Sequence, residues 1–155
     1  MDNILICPIK AILSELDDLS TGFILCTSDD SLVVEPRENV LLLHFADITD
    51  ARRADAFTAE QAAKVCSFWE NSALYSALFV CCDSGESRSP AIAAALMRST
   101  GQPDFEIWQN PEYHPNPYVY MVLCRELRLE VKPSEVDERK TANHRAFAQR
   151  IKQTS

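Results

Sequence analysis

Cys82, Arg88 and Ser89 are the residues of this chain whose types and spacing could do chemistry together. Five residues, Asp83, Ser84, Gly85, Glu86 and Ser87, separate the thiol from the guanidinium, and the hydroxyl follows at once. A cysteine is a nucleophile as its thiolate, and the thiolate is favoured beside backbone N–H groups at a helix N-terminus and beside a cation. The same groups bind a phosphate. Gly85 lets the backbone turn inward where a side chain would obstruct it, so the amides from Asp83 through Ser84, Gly85, Glu86 and Ser87 to Arg88 can form a concave nest for three equatorial oxygens. Arg88 supplies a planar fork for two of them. Ser89 can donate its hydroxyl to the sulfur and make it a better leaving group in a second step. The expected occupant of the loop Cys82 to Arg88 is a phosphate or sulfate ion.

The spacing alone is a weak signal, and the flanking elements strengthen it. Ala77 to Cys81 is a short apolar run of the length of a strand buried on both faces, and Pro90 to Met97 is apolar all round, as a central helix is. A loop between two such elements opens at the C-terminal end of a strand, where open α/β sheets hold their ligands.

In these residues the chain resembles the cysteine-dependent protein tyrosine phosphatases, in particular the small dual-specificity type, whose signature is His-Cys-x5-Arg-Ser/Thr. Cys82, Gly85, Arg88 and Ser89 match it, while Cys81 stands where histidine is usual. Pro115-Asn116, a Pro-Asn pair before a buried helix, extends the likeness over roughly Val40 to Leu127. The resemblance implies a thiophosphoryl-cysteine mechanism acting on phosphotyrosine in a protein or peptide, with phosphoserine or phosphothreonine as further substrates and no cofactor. It also implies an aspartate acid on a loop some thirty-odd residues before the cysteine, just after a strand. Asp47 holds that place, with Asp50 the alternative. Members that act on inositol lipids tend to carry lysines in the cysteine loop, whereas Asp83 and Glu86 stand here, so rim carboxylates are expected to repel a polyphosphorylated head group.

Two other classes use similar parts. A sulfur-transfer or arsenate-reductase-like enzyme shares the cysteine loop without needing an aspartate acid, and a non-catalytic phosphate-binding module keeps the arginine without turnover. Retention of both Cys82 and Ser89 argues against the module. The bland reading of the motif, a buried cysteine before a helix with a polar start, leaves the coincident glycine, arginine and hydroxyl without a role.

The 155 residues suit one domain, 1–155, with 46% apolar and 25% charged residues. A net charge of −8 disfavours nucleic acid and anionic membrane surfaces. The N-terminus shows neither a basic region nor a long apolar run, and nowhere do eighteen apolar residues occur together. Cys7, Cys26, Cys66 and Cys124 fall in apolar segments, as free thiols in a reducing compartment do. The expectation is a cytoplasmic protein. His44, His114 and His144 show no ligand spacing, so no metal site is expected.

Read in order, the chain predicts an α/β fold with a mainly parallel sheet of about four to five strands flanked by helices. Strands are expected at Asn3 to Ile9, Phe23 to Thr27, Val40 to Phe45 and Ala77 to Cys81. Ile9, Ile12, Leu13, Leu16 and Leu19 have helical spacing, with Gly22 ending that helix. Thr58 and Gln61 are spaced as a capping box for a helix with Ala62, Val65, Cys66, Trp69 and Ala73 on one face. Gly101 follows the helix after the cysteine loop. Asn116 and Pro117 suit the N-cap and first residue of a helix running to Leu129 and ended by Pro133. Trp108, Tyr113 and Tyr118 are expected in the core. A charged C-terminal helix, about 134–152, is expected docked through Val136, Phe147 and Ile151, or partly mobile.

Overall fold

The computed structural model describes residues 3–154, so residues 1, 2 and 155 of the expected domain lie outside it. Among the described residues four strands form one all-parallel sheet: β1 (Ile4–Pro8), β2 (Thr21–Thr27), β3 (Val40–His44) and β4 (Ala77–Cys82), in the order β1-β4-β2-β3. With every strand pointing the same way, the ends of β1, β2 and β3 surround the loop that leaves β4.

Alternation along the strands sends successive side chains to opposite faces. Ile24, Cys26, Leu78, Val80 and Cys82 enter the larger core, which is closed by α1 (Ala59–Glu70), α2 (Arg88–Ser99) and α4 (Pro117–Glu126). Phe23, Leu25 and Cys81 face the other side, under Ile9, Ile12 and Leu16. The sheet is therefore flanked unequally. The segment expected as one helix after β1 forms two 3-10 turns, Ile9–Ala11 and Leu13–Glu15. Its apolar residues do cover the sheet, but the backbone at Ile12, φ −124° and ψ 0°, breaks the helix between them. Gly22 does not end a helix: it lies inside β2, where a Cβ would come within 2.7 Å of the Tyr75 ring.

Other local signals are realised. Thr58 and Gln61 form both bonds of the capping box at the start of α1. Gly101 follows α2 at φ +78°, a backbone conformation in which glycine carries no Cβ penalty. Asn116 caps α4 through the Tyr118 and Val119 amides. That helix ends at Glu126, well before Pro133, and Arg128 turns the chain at φ 60°. Pro133 instead opens α5 (Pro133–Thr154). Fully buried Leu78, Ile92 and Leu123 each contribute about 2 kcal/mol by leaving water.

α5 docks through polar contacts as well as through two of the apolar anchors expected of it. Val136 is buried, and Phe147, though partly exposed, meets the His114 ring edge-on with centroids 5.1 Å apart, while Ile151 is exposed. Arg139 makes a bidentate pair with Asp104, Nε to Oδ2 and Nη2 to Oδ1, both at 2.9 Å. Tyr120 donates its hydroxyl to the same carboxylate at 2.7 Å. Asn143 donates to the carbonyls of Trp108 and Tyr113, which fixes the segment between α3 (Phe105–Trp108) and α4. Trp108 is buried against Tyr120, in the core as expected. Burial pushes the Asp104 carboxyl up, but the hydrogen bonds from Arg139 and Tyr120 outweigh it and hold the group below its ordinary value.

Breaking a buried pair by neutralising one partner costs about 3 kcal/mol or more. Asp104→Asn should therefore lower the free energy of urea unfolding by about that amount, against less than about 1 kcal/mol for Phe147→Ala. Because the folded carboxyl is depressed, its contribution is present above the unfolded value of about 4 and lost as pH falls through the folded one. Asp104→Asn should accordingly flatten part of the acid-side loss of stability.

Candidate active site

Cys82 ends the second strand from the β1 edge, and the loop that follows must turn sharply to enter α2. Gly85 makes that turn at φ +74°, pressed so closely on β1 that a Cβ would lie 2.8 Å from the Pro8 nitrogen and 2.9 Å from the Cys7 carbonyl carbon. No side chain fits there. The turn brings the Gly85 amide to 3.2 Å from Cys82 Sγ and the Ser89 hydroxyl to 3.1 Å. Ser87 occupies the N-cap position of α2 but does not cap it, because its hydroxyl donates to Asp47 instead. The sulfur receives the donors that a capping oxygen would otherwise take. Burial pushes the Cys82 thiol up, yet the Ser89 hydroxyl and the amides of Ser89, Ser87 and Gly85 together outweigh it, and the thiol sits below its ordinary value.

The other five cysteines are held the opposite way. Burial pushes Cys66 and Cys124 up to about 11 and raises Cys7, Cys26 and Cys81 as well. Cys81, which stands where a histidine is usual in the resembling family, turns to the opposite face of the sheet. Its sulfur lies 3.4 Å from that of Cys7, its register partner on β1.

Arg88 is 5% exposed. Its Nη1 donates to the Ser28 hydroxyl and the Phe45 carbonyl, both at 2.8 Å, and its Nη2 donates to Asp83 Oδ2 at 2.9 Å. Asp83 is held in turn by the Thr27 hydroxyl at 2.6 Å and the Ser28 amide at 3.0 Å. Burial raises the Asp83 carboxyl, but these donors bring it below its ordinary value. Asp83 thus braces the arginine rather than standing free at the rim. Nη1 has spent both hydrogens, whereas Nε–H is buried without a partner. Nε–H and the second Nη2–H form the edge of the guanidinium that grips two oxygens of an anion.

The loop after β3 carries Asp47 to the cysteine loop. Its Oδ1 accepts from the Ser87 hydroxyl and from Asn116 Nδ2, both at 2.8 Å. Among the described residues Oδ2 has no hydrogen-bond partner. Asp50 points elsewhere and pairs with Arg52 on the surface; the Arg52 hydrogen bonds hold its carboxyl below its ordinary value, a poor setting for an acid. Ser84 accepts from the Glu86 amide at 3.3 Å, so that amide is turned within the loop, and the Glu86 side chain is exposed. Among the described residues no group of three or more His, Cys, Asp or Glu side chains is placed to hold a metal ion, and no helix is long and apolar enough to cross a membrane.

No family model matches the chain, and neither does any curated protein. Solved structures similar to it include a crystal structure of PTPMT1 in complex with PI(5)P, at 16% identity and a TM-score of 0.46 over 95% of this chain and 94% of that one. A crystal structure of PTPMT1 alone is similar at 15% identity and a TM-score of 0.45, over 97% of this chain and 95% of that one.

The structure therefore brings Cys82, Arg88, Ser89 and Asp47 into one cluster and leaves Asp50 outside it. Sequence reasoning missed Thr27 and Ser28, which lie at the end of β2 where such loops gather, and it gave Asn116 no contact with Asp47.

At neutral pH iodoacetamide should alkylate Cys82 ahead of the other five cysteines. Peptide mapping checks the selectivity. Ser89→Ala removes a donor to the thiolate, so the pH midpoint of Cys82 alkylation should rise.

Proposed function

We propose that this chain is a cysteine-dependent phosphatase that hydrolyses phosphomonoesters, with phosphotyrosine in proteins as the preferred substrate. The observation that carries the proposal is the convergence of backbone amides and a hydroxyl on one sulfur, in a loop that ends at a buried arginine whose Nε–H has no hydrogen-bond partner among the described residues. A thiolate and a phosphate dianion both need those donors.

In the first step Cys82 Sγ forms a bond to phosphorus as the ester P–O bond breaks. Arg88 and the loop amides hold the equatorial oxygens, and Asp47 gives its proton to the departing oxygen. In the second step water attacks phosphorus, Asp47 takes the proton of that water, and the P–S bond breaks with the Ser89 hydroxyl donating to the leaving sulfur. An acid held at the cysteine loop favours this reading over sulfur transfer, arsenate reduction or simple phosphate binding, none of which needs one.

Cys82→Ser should reduce turnover of p-nitrophenyl phosphate and of a phosphotyrosine peptide to background while leaving the fold intact. Wild-type levels in that variant would overturn the proposal. Asp47→Asn should slow phosphotyrosine cleavage by about 10²–10⁴-fold and remove the alkaline limb of the pH profile, whereas Asp50→Asn should leave both nearly unchanged.

The substrate preference rests on charge. Asp83 is committed to Arg88, so the exposed Glu86 and the net charge of −8 are what a multiply phosphorylated head group would meet. Two unit charges at 4 Å interact by about 1 kcal/mol in water and more near a protein surface. A phosphotyrosine peptide should therefore show a higher kcat/KM than a bisphosphorylated inositide, with the gap widening at low salt. Equal values at low ionic strength would contradict it.

A further inference from the structure

Asn116 is 3% exposed and uses all of its hydrogen-bonding groups. Its Oδ1 accepts from the amides of Tyr118 and Val119 at 3.0 and 3.1 Å. Its Nδ2 donates to Asp47 Oδ1 at 2.8 Å and to the Ile48 carbonyl at 3.1 Å. Its own N–H donates to the Ser87 carbonyl, and its carbonyl accepts from Tyr120. The orientation of the side-chain amide follows from these partners. Turned the other way, its oxygen would face a carboxylate and a carbonyl while its NH₂ met two amide donors.

One residue therefore ties three elements together: its side chain joins the loop bearing Asp47 to the start of α4, and its backbone N–H holds the loop bearing Cys82. We propose that Asn116 is the positioning residue for the general acid, holding Asp47 at the cysteine loop and directing its proton to Oδ2; this rests on the phosphatase reading above. With Asn116 and Ser87 both donating to Oδ1, that oxygen is taken up as an acceptor, and the transferable proton belongs on Oδ2. Capping alone would need only the oxygen of Asn116. Aspartate or serine caps a helix equally well without the NH₂ group, so the edge facing Asp47 is separable from the cap.

The test compares p-nitrophenyl phosphate, whose leaving group needs little protonation, with phenyl phosphate, whose leaving group resembles tyrosine with a pKa of about 10. Asn116→Asp and Asn116→Ser both keep a cap, and urea unfolding confirms that they stay folded. Phenyl phosphate kcat should fall about 10–100-fold in either variant, with KM nearly unchanged and p-nitrophenyl phosphate within about threefold of wild type. In an Asp47→Asn background the same changes should cost nothing more, because Asn116 acts through that carboxyl. Equal losses on both esters, or additive losses in the double variants, would overturn the proposal and leave Asn116 as a structural cap. A wild-type protein silent on both esters would instead sink the phosphatase reading itself.

Discussion

The ion pair between Asp83 and Arg88 joins the first residue after Cys82 to the residue five positions on, and so closes the loop between β4 and α2 into a ring. An arginine buried to this degree is costly to hold unless its charge is compensated and its hydrogens are used. Asp83, Ser28 and the Phe45 carbonyl meet that requirement on three sides. The arginine's Nε–H has no hydrogen-bond partner among the described residues. The sheet makes this arrangement available: Thr27 and Ser28 come from the end of β2 and Phe45 from the end of β3, and all three reach the loop because the strands are parallel.

The same convergence explains why the sulfur is the low-pKa thiol of the chain. Cys82 and Cys81 are neighbours in sequence and opposites in environment, since adjacent residues of a strand point to opposite faces. Cys81 packs with Cys7 among apolar side chains that give a thiolate no donors, whereas Cys82 ends the strand where helix amides are unpaired. Gly85 is what lets those amides approach, because β1 leaves no room for a side chain.

Much of this was legible in the sequence because it depends on short spacings. The strand, glycine, arginine and hydroxyl of the cysteine loop, the Thr58 capping box and the Asn116 cap each involve residues within a few positions of one another. The failures came where tertiary contacts decide. Ile9, Ile12 and Leu16 have helical spacing, yet the segment is shaped by the sheet face it covers, and two 3-10 turns place the same side chains in the core. Gly22 follows residues at helical spacing as a helix stop does, yet its small size serves the approach of Tyr75 to a strand. α5 shows the complementary gap, since Val136 and Phe147 do meet the domain, but the polar docking through Arg139, Asn143 and the distant Asp104 joins residues far apart in sequence. Asp83 is exposed at the rim as its sequence position suggests, but its bracing of Arg88 is hidden in the sequence because its partner Thr27 lies on another strand.

The central claim is that Cys82 itself carries the phosphoryl group, and trapping that bond tests it most directly. Ser89→Ala, which lacks the hydroxyl donor to the departing sulfur, should break down the intermediate slowly. Rapid mixing with p-nitrophenyl phosphate, an acid-free quench and peptide mass mapping should then find one phosphoryl group on the peptide containing Cys82, formed as fast as the burst of p-nitrophenol. Release of p-nitrophenol with no phosphorylated cysteine, or with the phosphoryl group on another residue, would contradict the account.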